Sequence, residues 1–150
     1  EEEAFELGAV FRDLQLLLRE QAITRHTAVH IGEDYVPITL IGDRTALTHA
    51  LLELIQNGII AVNSHDKGEV CLSAWQETDR VCIQVKDNGP GFAPDRLEGF
   101  NVSSESTEAS LQGIGLAVVS SIVQKLRGEF SLNNRPEGGA CATLILPRTT

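Results

Sequence analysis

The chain has 150 residues, 42% of them hydrophobic and 22% charged, the size and mixture of one globular domain spanning residues 1–150. Twelve Lys and Arg against 21 Asp and Glu leave a formal charge of −9, which argues against a nucleic-acid binder and against docking on anionic lipid. No apolar run approaches the roughly 20 residues that span a bilayer, and Glu1-Glu2-Glu3 is not a signal-peptide start, so a soluble domain that is not itself membrane-inserted is expected, cytoplasmic whether or not its parent protein is membrane-anchored.

In chain order, Leu7, Val10, Phe11, Leu14, Leu17 and Leu18 follow a 3.6-residue period and predict an amphipathic helix from Phe5 to Ala22. Thr27–Ile31 and Val36–Ile41 read as strands on either side of Gly32-Glu33-Asp34, with His26 and His30 on one face. Asp43 stands as the N-cap of a second helix, about 44–62, with Leu47, Leu51, Leu54, Ile55, Gly58 and Val62 on its core stripe. On an adjacent line of that helix His49, Glu53 and Asn57 recur every four residues, polar groups in an apolar neighbourhood.

The alternating runs 70–75 and 81–86 form a hairpin that leads straight into Asp87-Asn88-Gly89-Pro90-Gly91. A polar stretch from Phe92 to Gln112 follows, and Gly113-Ile114-Gly115 opens a third helix with Val118, Val119, Ile122, Val123 and Leu126 inward and Gly128 at its end. Glu129–Leu132 and Ala140–Leu146 close the chain as a hairpin. Cys71, Cys82 and Cys141 lack metal-ligand spacing and read as small hydrophobes of a reducing compartment. Helices and strands mixed without βαβ alternation predict an α+β two-layer sandwich, a mixed sheet covered on one face by three main helices.

Three signals in order carry the chemistry: Glu53-x-x-x-Asn57 on a helix, Asp87-x-Gly89-x-Gly91 after a strand, and Gly113-x-Gly115-Leu116 opening a helix. Together they resemble the N, G1 and G2 boxes of the GHKL ATPase superfamily. Gly42-Asp43-Arg44, Gly115-Leu116-Ala117-Val118-Val119 and Gly138-Gly139-Ala140 with the ending Leu146-Pro147 resemble the catalytic and ATP-binding domain of sensor histidine kinases. The resemblance implies a Bergerat-type sandwich with an ATP lid at about 92–112. It implies ATP and Mg2+ as ligands, held by Asn57, Asp87, Gly89, Gly91, Gly113, Ile114, Gly115, Leu116 and Thr143, with Asn57 on the metal and Glu53 catalytic. It further implies γ-phosphoryl transfer to a histidine on a separate dimerisation domain, which this chain does not contain, and a downstream response regulator. Such a domain alone is expected to be a monomer without an efficient acceptor.

The residue types suit those roles. An ionised Asp87 only accepts hydrogen bonds, and adenine offers an amino donor where guanine offers a carbonyl. The amide oxygen of Asn57 suffices for a magnesium ion whose other ligands are phosphates and water. Unpaired N–H groups at the helix opened by Gly113–Leu116 suit phosphate oxygens. Some positions depart from the family. Ile60 stands where many histidine kinases carry a basic residue, Arg96 is the lid's one cation, and Ser103, Ser104, Ser106 and Thr107 occur where relatives often have lysine; Phe100 only loosely resembles the F-box phenylalanine. A free-standing GHKL ATPase, an anti-sigma-type protein-serine kinase and a nucleotide-sensing pseudokinase are the alternatives.

Overall fold

The computed structural model describes residues 2–33, 35, 37–63, 67–92 and 114–148. Its elements run β1 (Glu3–Glu6), α1 (Leu7–Thr24), β2 (Ala28–Ile31), β3 (Thr39–Gly42), α2 (Arg44–Ala61), β4 (Glu69–Glu77), β5 (Arg80–Asp87), α3 (Ile114–Lys125), β6 (Glu129–Asn134) and β7 (Ala140–Pro147). A five-stranded sheet has the order β2-β4-β5-β7-β6, with β2 parallel to β4 and the other neighbours antiparallel; β1 and β3 form a separate antiparallel pair. The expected α+β sandwich with a mixed sheet is therefore present.

Burial of one stripe per helix assembles the layers. Leu7, Leu14 and Leu18 of α1 and Leu47, Leu51, Ile55 and Ile59 of α2 are fully buried, together with Ile83 and Leu144 of the sheet. Helix α2 lies centrally on β4 and β5, with α1 beside it toward β2 and α3 on its other side toward β6. Asp43 caps α2 as expected, its Oδ1 accepting the Ala46 N–H at 3.0 Å. Across the helix layer, Arg44 donates to Asp13 at 2.8 Å and Gln56 to Gln21 at 3.3 Å, fixing α2 against α1. Among the described residues no helix is long and apolar enough to cross a membrane.

Several expectations need correction. The first helix begins at Leu7, because Phe5 belongs to β1, where it pairs with Leu40 and turns inward. Glu6 caps the helix: its carboxylate receives the Gly8 N–H and the Tyr35 hydroxyl, while that hydroxyl accepts the N–H groups of Gly8 and Ile38. The Tyr35 hydrogen bond is the largest influence holding the Glu6 carboxyl below its usual range, and burial pushes the Tyr35 phenol up to about 12. Leu17 is 59% exposed; Leu18 alone of that pair joins the core. His26 lies in a left-handed turn at φ 52, outside the strand that holds His30. The left-handed residue at the end of α3 is Arg127, while the Gly128 N–H closes the helix by donating to the Val123 carbonyl at 2.9 Å and its missing Cβ lets the chain pass within 2.6 Å, measured from where that Cβ would sit, of the Ile145 carbonyl.

The sheet has two unlike faces. Val81, Ile83, Val85 and Asp87 of β5 and Ala140, Ala142, Leu144 and Leu146 of β7 face the helices and are buried. On the other face, Trp75, Cys82 and Ile145 are register neighbours, as are Ser73, Gln84 and Thr143. The three cysteines are free thiols, and burial raises the pKa of both Cys71 and Cys82.

Candidate nucleotide site

The polar line of α2 is formed as the spacing requires. Glu53 Oε2 lies 3.6 Å from His49 Nε2, and the Glu53 side chain is 29% exposed, less than its neighbour. Asn57 is half-buried one turn further on. Its successor Gly58 sets the depth of the helix: a Cβ there would lie 3.1 Å from Val70 Cγ2 and 3.7 Å from Asp87 Cβ. Glycine inside a helix costs roughly 1 kcal/mol relative to alanine. Here it lets α2 settle onto β4 and the end of β5, bringing the turn that carries Asn57 down beside Asp87.

Asp87 is the last residue of β5 and only 7% exposed. Its Oδ1 accepts the Gly89 N–H at 2.8 Å and the Ala140 N–H at 3.2 Å, and its backbone carbonyl accepts Arg135 Nη1 at 2.7 Å. Gly139 makes this junction possible: at φ 104 it runs so close to Asp87 that a Cβ would stand 1.9 Å from the Asp87 carbonyl oxygen. Gly89 presses on the end of α2, where a Cβ would come within 2.9 Å of the Ala61 carbonyl. Ala61 and Asn57 are one helical turn apart, so this loop and the asparagine share one side of the helix. Gly91, at φ 81, then turns the chain beneath Asn134 toward Phe92, which packs partly buried against the core.

The third expected segment is described from Ile114, where Ile114, Gly115 and Leu116 form the first turn of α3, with Leu116 against the core. Gly113 and lid positions 93–112, including Arg96 and Phe100, lie outside the described residues.

Thr143 is not brought to this cluster. The β5–β7 register pairs it with Gln84, whose amide donates to its hydroxyl at 3.2 Å, on the sheet face away from the helices and from Asp87. The β7 residue that touches the aspartate is Ala140, through its backbone N–H. Arg135 and Asn134 also border the loop and were not anticipated; the Asn-Arg-Pro-Glu-Gly-Gly turn announces a reversal of the chain but not its contacts.

Behind the loop lies a charged cluster. Asn88 accepts the Glu69 N–H at 2.8 Å, and the Glu69 carboxylate lies 3.4 Å from His30 Nε2, whose Nδ1 is 2.8 Å from Glu33 Oε2. Only an imidazolium donates from both nitrogens, and the Glu33 hydrogen bond is the largest influence raising the His30 pKa, with Glu69 adding to it. A raised histidine pKa contributes stability that is complete below the unfolded value of about 6.5 and lost as the pH rises through the folded value. Stability from denaturant titrations should therefore decline from about pH 6.5 upward, and His30→Gln should flatten that slope. An identical pH profile in the variant would show that the two carboxylates do not hold the charged ring.

A helical layer over a mixed sheet, with a polar helix line beside a buried aspartate and a glycine loop, is the architecture of the GHKL superfamily. The chain belongs to the family described as histidine kinase-, DNA gyrase B-, and HSP90-like ATPase, which matches residues 42–150. Its homologues are sensor histidine kinases. It is 29% identical to sporulation kinase B of Bacillus subtilis over 98% of this chain and 34% of that protein. It is 38% identical to the sensor histidine kinase ZraS of Salmonella typhimurium over 87% of this chain and 28% of that protein. The chain thus spans about a third of these relatives' length. The catalytic domain of histidine kinase ThkA superposes with a TM-score of 0.86 at 23% identity, covering 99% of this chain and 98% of that one.

Proposed function

We propose that this domain binds Mg-ATP and transfers the γ-phosphoryl group to a histidine of a separate dimerisation domain, from which it passes to a response regulator. The observation that carries this reading is the buried Asp87 carboxylate, fixed by two backbone N–H groups on a loop packed against the helix of Glu53 and Asn57. Kinship with sensor histidine kinases supports it, as does the fold shared with ThkA, a relative also known in complex with the response regulator TrrA. The work belongs to the cytoplasmic side, where ATP and response regulators reside.

In this reading Asp87 accepts the adenine amino group. Asn57 offers its amide oxygen to magnesium, which when bound neutralises and orients the phosphates. The donor set fits: Asn57 offers one neutral oxygen on a helix, which leaves the other positions of the ion to phosphate oxygens and water. The first turn of α3 would present N–H groups to the phosphates. Glu53, beside His49, takes the proton of the incoming acceptor. Phosphoryl transfer asks mainly for positioning and charge neutralisation, which these groups supply.

Calorimetry with ATP tests the reading: saturable binding by the chain, and phosphorylation of an added histidine domain, are expected. Asn57→Ala should weaken binding about tenfold when magnesium is present and far less without it, since the lost oxygen matters only to the metal. Equal losses in both conditions would make Asn57 structural. A second reading, a nucleotide-sensing module without transfer, draws on Ile60, which is 57% exposed where many relatives carry a basic residue. Binding without transfer would favour it.

A further inference from the structure

The last residue of β6 and the first of the turn that follows it grip the loop from Asp87 to Phe92 at both ends. Asn134 Oδ1 accepts the Phe92 N–H at 2.8 Å while its Nδ2 donates to the Phe92 carbonyl at 2.9 Å, so one side-chain amide satisfies both backbone groups of that residue. Arg135 donates Nη1 to the Asp87 carbonyl at 2.7 Å and Nη2 to Glu137 at 3.2 Å, and its own N–H bonds the Gly139 carbonyl at 2.8 Å. Asn134 is exposed and Arg135 half-buried, so neither fills the core. Between the gripped ends lie Gly89, Pro90 and Gly91, and the two glycines leave the backbone many conformations. Asn88 ties the opposite side of the loop to the Lys67 carbonyl and the Glu69 N–H.

We propose that Asn134 and Arg135 are positioning residues for base recognition, fixing the backbone at Phe92 and Asp87 and thereby the direction in which the Asp87 carboxylate meets a purine. The proposal rests on the reading of Asp87 as the adenine acceptor. A carboxylate discriminates an amino group from a carbonyl only while its oxygen is held in line with that group; a loose loop lets it turn away from a guanine carbonyl, so the penalty against guanine falls as the affinity for adenine falls. Asn134 and Arg135 touch no nucleotide atom in this scheme. Their effect passes through Asp87.

The test measures Mg-ATP and Mg-GTP affinities by calorimetry, with melting temperatures, for the wild-type chain, Asn134→Ala and Arg135→Ala. Each variant is expected to lose about tenfold in ATP affinity, the scale of one charge-assisted or two neutral hydrogen bonds, and to lose a comparable factor in preference for ATP over GTP. Asn134→Asp keeps the acceptor for the Phe92 N–H but not the donor, and should fall between wild type and alanine. It and Arg135→Lys carry the test if an alanine variant does not fold. Equal losses for both nucleotides, or losses that only follow the melting temperature, overturn the proposal and leave a structural role. Folded variants with unchanged ATP affinity and preference overturn it while the Asp87 reading stands. A wild-type chain that binds no ATP removes that reading itself.

Discussion

Asp87→Asn is expected to leave the domain folded and to weaken ATP binding by at least about tenfold. The substitution is nearly isosteric, and an asparagine oxygen can keep the N–H groups of Gly89 and Ala140 that Asp87 Oδ1 accepts. That requirement dictates the amide's orientation, placing its amino group where Oδ2 was. A donor then meets the adenine amino group in place of an acceptor. The loss is that of a charge-assisted hydrogen bond plus the repulsion of two donors, about 1.5–3 kcal/mol. Calorimetry beside a melting curve checks both halves of the expectation. ATP affinity equal to wild type would reduce Asp87 to a turn residue that merely caps its own loop.

The second large effect concerns turnover. Glu53→Gln keeps the side chain's length and a hydrogen-bonding end near His49 but removes the proton acceptor. If Glu53 accepts the proton of the attacking group, phosphorylation of an added histidine domain should fall by roughly 10²–10⁴. Nucleotide affinity should change little, because Glu53 lies a full turn before Asn57 on the helix. Phosphorylation within about tenfold of wild type would leave Glu53 only a partner for His49 on the helix face.

The elements with strong periods were legible. The stripe of α2 and its Asp43 cap, the β4–β5 hairpin and the closing hairpin all lie where apolar spacing and turn residues put them. Short or low-contrast segments were not. β1 has four residues, and Phe5 satisfies a helical period as well as a strand position, so its pairing with β3 decides the matter. β3 begins only at Thr39 because Pro37, lacking an N–H, cannot extend a ladder. In β7 the run Ala-Cys-Ala-Thr-Leu-Ile-Leu offers little polar contrast, so which side Thr143 faces is set by register, and that register faces it away from Asp87. The grip of Asn134 and Arg135 depends on side chains bonding backbone some 42 to 48 positions away, which no local pattern encodes.

The seam between β5 and β7 has a consequence for how the domain acquires its site. The β4–β5 and β6–β7 hairpins are each local and close quickly, whereas zipping β5 to β7 brings together segments such as Asp87 and Ala140, 53 positions apart. The Asp87 carboxylate takes its fixed orientation from the Ala140 N–H, and its carbonyl from Arg135, both across that seam. A chain that has formed only its two hairpins therefore lacks the fixed Asp87 carboxylate. Under the proposed function, nucleotide would bind only the zipped state, so its free energy of binding would act as a latch on this long-range seam, opposing partial opening of the sheet.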